Sequence, residues 1–287
     1  MPHTGTLEER IASALDTLSP THKRMARFML DNRYFISFAS AHQVGEKNDT
    51  SAATVVRFAQ ALGYEGYSEL QEALRDELPS YMTAAHKIQA RMSLDGPSSS
   101  APQQVFYTDI QNIERTAGNL SDKNFSNALD AIVQAQRIVV IGAGLSGAAC
   151  HFLAHSLKVM GFNAQATRGE GLQSAVELSQ IQPGDLLIAI DLWRYVRMTV
   201  NAVAWAKEHG IPTIAITDSI VSPLAQMADH AFEIAAEGLA HSLSLTGLMS
   251  LLNVFIVALA DRVPMQVVES LGRVDAAYRG NGLLIMK

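Results

Sequence analysis

The chain has 287 residues, 48% of them hydrophobic, and a formal net charge of -6. These values exclude a disordered or fibrous protein and a uniformly basic nucleic-acid coat, and suit two modest domains or one large one. A single cysteine, Cys150, excludes an internal disulfide; the N-terminus lacks the charged-then-apolar form of a signal peptide, so a cytoplasmic location is expected.

Leu7, Ile11, Ala14, Leu15 and Leu18 recur at the spacing of a helix with one buried face. Ser19-Pro20 separates it from a second helix, with Thr21 as the expected N-cap and Met25, Phe28 and Met29 turned inward. Tyr34 to Ala39 adds a short apolar turn. From Ser40 to Gly63 the pattern is a short helix to about Lys47, a polar turn through Asn48 and Asp49, and a helix capped by Ser51 and stopped by Gly63. Helix, tight turn, helix is the arrangement that DNA readers use.

In that last helix Val55, Phe58, Ala59 and Leu62 fall on one side, which leaves Ala53, Thr54, Arg57 and Gln60 facing out. Small residues permit close approach, a hydroxyl suits a phosphate or base edge, and an arginine reaches guanine or backbone. With Lys47, Thr50 and Ser51 these residues form the expected contact set for a double-stranded DNA operator. The same spacing also describes an ordinary helical hairpin with a small, polar exposed face. Through Leu78 the acidic residues outnumber the basic ones, which are Arg10, Lys23, Arg24, Arg27, Arg33, Lys47, Arg57 and Arg75. Duplex binding must therefore depend on how the cations are grouped and on two copies summing their phosphate contacts.

Ser68 to Leu78 reads as a further helix, with helical chain expected towards Met92. Gly96, Pro97, Ser98, Ser99, Ser100 and Pro102 then break regular structure. A linker over 93–104 is predicted, between a helical domain at 1–92 and a second domain at 105–287. Val105 to Leu120 reads as a helix with Val105, Ile110, Ile113 and Ala117 available for packing.

Ile138 to Ile141 is an unbroken β-branched run, as in a strand buried on both faces, and Gly142 and Gly144 break it. Ser146 is the expected cap of a helix that carries Leu153, Leu157 and Met160 and ends at Gly161. Strand, glycine turn and helix N-terminus make an anion site, because unpaired N–H groups converge there. Gly142, Gly144 and Gly147 also satisfy the dinucleotide pattern, which calls for an acidic residue at the end of the next strand. Phe162 to Thr167 ends instead in Arg168. Only a 2′-phosphorylated cofactor suits an arginine there, so an oxidoreductase alternative narrows to NADP, and no cofactor is expected.

Strands at 162–167, 186–190, 213–217 and 231–235 alternate with helices at about Gly171 to Ser179, 196–209 and from Ser222, which implies a parallel sheet covered on both faces. Ligands in such sheets bind beyond the carboxyl ends of the strands. Those ends are Gly142 to Ser146, Thr167 to Glu170, Asp191 to Arg197 and Thr217 to Ser219. From Gly238 to Ala260 no side chain is charged, but His241, Ser242, Ser244, Thr246, Ser250 and Asn253 argue for a buried helix and against a membrane span.

Three blocks resemble the sugar-isomerase (SIS) domain, a phosphosugar-binding α/β module, from about Lys123 to Asp261. They are Ile141-Gly142-Ala143-Gly144-Leu145-Ser146, Pro183-Gly184-Asp185, and Ala215-Ile216-Thr217-Asp218-Ser219 with Ser222-Pro223-Leu224-Ala225. Thr54-Val55-Val56-Arg57-Phe58 and Leu62-Gly63-Tyr64-Glu65-Gly66-Tyr67 resemble the N-terminal domain of RpiR/MurR transcription regulators, which precedes an SIS domain. That likeness covers about Leu7 to Leu78, and the order of the blocks matches. The resemblance implies an all-α helix-turn-helix domain followed by an α/β domain, whose parallel sheet is flanked by helices in an αβα sandwich. It implies a DNA-binding regulator sensing a small anionic sugar-derived effector through Ser146, with the helix after Val105 helping to pair subunits into a homodimer or homotetramer. An SIS isomerase is the enzymatic alternative. It needs a base near the sugar C1 and C2; Glu170, Glu177, Glu237 and His241 are available, but no spacing forces two of them together.

The SIS pattern fails at the third strand end. A Ser-x-Ser-Gly-x-Thr loop is usual there, whereas this chain has Asp191-Leu192-Trp193-Arg194-Tyr195-Val196-Arg197-Met198-Thr199. An arginine holds phosphate or carboxylate by paired charge-assisted bonds, and an aromatic ring offers its face to a sugar. The expected effector set is Gly142, Gly144, Ser146, Asp191, Arg194, Arg197, Thr217 and Ser219, with Asp191 positioning an arginine or repelling an anion. In the competing reading the arginines bridge to another subunit, Trp193 fills a core and the site is closed.

Overall fold

The computed structural model divides into two units, Met1–Asp95 and Gly96–Lys287. It describes residues 5–15, 17–36, 39–77, 101–167, 172–239 and 242–281. The helical continuation to Met92, most of the linker, Arg168, Glu170 and His241 lie outside the described residues.

In the first unit the helices are α1 Leu7–Ala14, α2 Pro20–Asp31, α3 Arg33–Ile36, α4 Ala41–Lys47, α5 Ala52–Ala61 and α6 Tyr67–Glu77. The first ends well before Leu18, and the cap of α2 is Ser19 rather than Thr21. Ser19 Oγ accepts from His22 N with Pro20 at the first helical position, where its fixed φ and missing N–H cost nothing. Met25, Met29, Val44, Val55, Phe58 and Leu70 are fully buried together, so the 3.6-residue pattern finds its core. The turn between α4 and α5 is tight: Thr50 N donates to Gly45 O at 2.9 Å, and a Cβ on Gly45 would stand 2.8 Å from Thr50 O. Asp49 takes a left-handed φ of 52° there, which aspartate tolerates better than most residues.

The second unit runs α7 Ala101–Gly118, α8 Asp122–Gln134, β1 Ile138–Ile141, α9 Leu145–Val159, β2 Ala164–Ala166, α10 Leu172–Leu178, β3 Leu186–Ile190, α11 Arg197–Glu208, β4 Thr213–Thr217, α12 Pro223–Met227, β5 His230–Glu233, α13 Thr246–Arg262 and α14 Pro264–Gly280. The sheet has five parallel strands in the order β2-β1-β3-β4-β5. Alternate side chains serve opposite faces. Ile138, Val140, Ile188 and Ile214 join a core with α8, α9 and α13, while Val139, Ile141, Leu187 and Ala215 join one with α11 and α12. Helices thus cover both faces, as an αβα sandwich requires.

Several boundaries differ from expectation. The helix read from Val105 begins at Ala101, with Pro102 in its first turn, where proline is tolerated. Its inward face is polar: Asn112 and Thr116 are buried, whereas Val105, Ile110 and Ile113 are exposed. Asn112 Nδ2 donates to Glu237 O at 2.8 Å and Thr116 Oγ1 accepts from Ala235 N at 3.0 Å. Those bonds draw the chain out of the sheet after Glu233, short of the predicted Ala235. Helices α8 and α14 were not anticipated. The uncharged stretch from Gly238 becomes a helix only at Thr246, and its residues Leu248, Leu251, Leu252, Phe255 and Leu259 are buried. Among the described residues no single helix is long and apolar enough to cross a membrane.

Candidate effector site and nucleic-acid interface

Strand order reverses between β1 and β3, since β2 lies on one side of β1 while β3, β4 and β5 follow on the other. The crevice beyond such a reversal is where open α/β sheets bind ligands. Gly142, Gly144 and Ser146 leave β1 on one side of it, and Asp191, Arg194 and Arg197 leave β3 on the other.

At the β1 end the backbone must pass very close to β3. A Cβ on Gly142 would lie 2.4 Å from Ile190 O and 2.8 Å from Cys150 Sγ, so only glycine fits. Gly144 is the N-cap of α9 with φ 56° and ψ -127°, a conformation that L side chains avoid. Ser146 is therefore not the cap; it sits inside the first turn of α9 and is buried. Gly147 N in that turn donates to Ala143 O at 3.3 Å and to Gly144 O at 3.1 Å, and the positive end of the α9 dipole lies at the carboxyl end of β1.

At the β3 end Asp191 is buried and does not position an arginine. Its Oδ1 accepts from Leu192 N at 3.1 Å and its Oδ2 from Val196 N at 2.7 Å. Asp218, at the end of β4, accepts from Trp193 N at 3.0 Å and from the Tyr195 hydroxyl at 2.7 Å. Two carboxylates thus clamp one loop from below. Between them Arg194 N donates to Leu192 O at 2.8 Å across Trp193, whose φ is 68°. This is a γ-turn of the rare, strained hand, held by the surrounding bonds. The Arg194 guanidinium lies 4.5 Å from the Trp193 ring centroid, a cation–π contact. Trp193 is partly exposed, so it does not fill a core, and Arg194 and Arg197 are exposed.

Burial is the main cause that raises the Asp191 pKa from 3.8 to about 6, with the charge of Asp218 adding to it. The N–H groups of Val196 and Leu192 and the Thr199 hydroxyl act in the opposite sense; Thr199 is buried beside the carboxylate without a hydrogen bond of good geometry. Burial also raises Asp218, and burial with the nearby Asp191 charge pushes the Cys150 thiol up to about 12. Thr217 and Ser219 reach the same edge but are buried. Ser219 Oγ accepts from Val221 N at 3.3 Å, closing a turn that leads to the Ser222 cap of α12.

In the first unit Lys47, Ser51, Ala53, Arg57 and Gln60 are exposed, and Thr50 and Thr54 partly so. They line one side of the turn and of α5. Ser51 Oγ and Thr54 Oγ1 are 3.0 Å apart, and Arg57 Nη2 donates to Thr54 Oγ1 at 3.4 Å, so three polar side chains run along one helix face. Sequence spacing did not draw Arg24 into this set: its Nη2 donates to Asn48 O in the turn at 2.9 Å, a contact across 24 residues.

Residues 5–80 match the family model described as the helix-turn-helix domain of the rpiR family, and residues 131–258 match that of the SIS domain. The chain is 28% identical over 221 residues to the HTH-type transcriptional regulator HexR of Pseudomonas aeruginosa, 77% of this chain and 75% of that one. The sugar isomerase domain of an RpiR transcription factor from Sphaerobacter thermophilus is 38% identical with a TM-score of 0.60, covering 61% of this chain and 98% of that one. The Vibrio vulnificus NanR protein, solved complexed with ManNAc-6P, shares the fold over 95% of this chain and 98% of its own at 22% identity and a TM-score of 0.68. A helix-turn-helix unit followed by an all-parallel SIS sheet, with both halves matched in that order, means that this chain belongs to the RpiR family of DNA-binding transcriptional regulators.

Proposed function

We propose that the crevice between the β1 and β3 ends binds a small anionic sugar derivative and that α5 carries the response to an operator. The observation behind this reading is the way the β3 loop is built. Its own carboxylates, Asp191 and Asp218, already accept from the N–H groups of Leu192, Trp193 and Val196. Little backbone is left there to cradle a phosphate, so positive charge on that side comes from Arg194 and Arg197. One anionic group then lies on the α9 N-terminus and Ser146, and a second polar end faces the arginines. A phosphorylated sugar or a sugar acid with separated polar ends fits this layout, and the phosphosugar complex of NanR supports the class. The similarity to named transcriptional regulators supports a sensor rather than an isomerase.

A thermal-shift screen of sugar phosphates, sugar acids and nucleotides tests this. With a stabilising compound in hand, Arg194→Ala and Arg197→Ala are each expected to weaken its effect on DNA binding by about 1.5–3 kcal/mol, the usual worth of a charged hydrogen bond. Effector-free DNA binding should be unchanged. If no small anion raises the melting temperature and the two variants instead loosen the oligomer in sedimentation, the site is closed and the ligand reading fails.

The same reading includes a cytoplasmic homodimer or homotetramer. Phe106, Tyr107 and Ile110 on α7 are 70%, 63% and 53% exposed, and Met265 and Val268 on α14 are 79% and 66% exposed. A second copy of the chain covering these stripes would remove apolar surface from water. Phe106→Glu combined with Ile110→Glu is expected to shift the sedimentation coefficient towards that of a smaller species; an unchanged value would exclude α7 from the interface.

A further inference from the structure

The acidic balance of the first unit leaves open which cations meet the duplex backbone, and their grouping answers it. A surface cleft of about 260 Å³ lies beside the α4–α5 turn, lined by Arg24, Arg27, Lys47, Asn48, Asp31 and Asp49 among others. Arg24 and Arg27 come from α2 and Lys47 from the last turn of α4, so residues far apart in sequence converge on one spot. Arg24 is fixed there by its bond to Asn48 O at 2.9 Å, and Asn48 is itself held by its Nδ2 donating to Val44 O at 2.9 Å.

From this grouping we propose that the cleft is a seat for one phosphate of the DNA backbone, flanking the groove that α5 enters. The inference rests on the reading of α5 as the recognition helix. Three side-chain cations outweigh the two carboxylates, leaving a net positive spot beside the N-terminus of α5. Arg24, tied to the turn, orients the seat, while Arg27 and Lys47 supply charge. Asp31 and Asp49 limit how many phosphates the cleft accepts, and they hold the site to a backbone contact of modest strength. A contact of this kind carries no base information and sets the register of the helix in the groove.

The test uses the full chain, a duplex obtained by in-vitro selection and a random-sequence duplex of equal length, with binding measured from low to moderate salt. Arg27→Gln and Lys47→Gln are expected to weaken both duplexes by the same factor, roughly threefold to tenfold. Each should also flatten the slope of log K against log salt by about 0.9 for each protomer on the duplex. Arg27→Lys should keep most of the slope, because a phosphate asks for charge more than for geometry. Melting curves establish that each variant is folded. Unchanged affinity and slope in the folded glutamine variants would overturn the proposal, and so would a loss confined to the selected duplex. Inorganic phosphate raising the melting temperature without DNA, with the slope unaltered by the variants, would mark a metabolite site instead and equally overturn it. Failure of α5 itself is distinguishable: Arg57→Ala would then leave binding to both duplexes undiminished.

Discussion

Replacing Arg57 by alanine is expected to lower operator affinity more than any other single substitution in the chain. A bidentate arginine–guanine contact is worth about 1–3 kcal/mol of discrimination, and a dimer on two half-sites loses two of them, about 2–6 kcal/mol in all. The side chain is exposed on α5 and oriented by its bond to Thr54 Oγ1, so its removal leaves the helix packing through Val55, Phe58 and Ala59 intact. Anisotropy titrations of wild type and variant on a selected duplex measure the effect, with a random duplex as reference. Loss on the selected duplex alone marks base reading; equal loss on both, with a flatter salt slope, marks phosphate contact. Undiminished binding to both excludes α5 as the recognition helix. His22 provides an internal control. Its pKa is lowered by burial and then by the Arg57 charge, so in a folded variant the imidazole pKa should rise.

The second large effect is a pH dependence of stability centred on Asp191. Its folded-state pKa of about 6 stands above the ordinary 3.8, so the folded protein holds this proton more tightly than the unfolded chain does. The stabilisation is fully present below the unfolded value and is lost as pH rises through about 6, an amount of about 3 kcal/mol at most. Above that pH the buried charge opposes folding, although the N–H groups of Leu192 and Val196 offset part of the cost. Asp191→Asn cannot titrate. The stability difference between wild type and this variant, from urea unfolding, should therefore change in favour of wild type by about 2 kcal/mol between pH 7.5 and pH 4. Asp218 is raised in the same sense and is present in both proteins, and the Cys150 thiol stays protonated throughout. A difference independent of pH would mean that water reaches the Asp191 carboxylate and that the loop is not closed over it.

Much of this molecule was legible without coordinates wherever one residue's neighbours along the chain decide its state. Helix α5 is such a case: Ser51 caps it, Gly63 follows it with a φ of 85°, and Val55, Phe58, Ala59 and Leu62 face the core because 3.6-residue periodicity puts them on one side. The strands at Ile138, Leu186 and Thr213 were equally plain, since continuous apolar runs bounded by glycine or proline suit a sheet covered on both faces. Tertiary structure decided the rest. It gave Asp191 to its own loop rather than to an arginine, because Val196 N lies closer than any guanidinium once the chain turns at Trp193. It turned Asn112 and Thr116 inward and Ile110 outward on α7, because the chain leaving β5 needed hydrogen-bond partners there. It also drew Arg24, Arg27 and Lys47 to one cleft. Sequence determines which residues can form an element and which side is apolar; only the folded chain determines which polar groups meet, because those pairings join residues distant in the chain and each buried donor must find an acceptor in three dimensions.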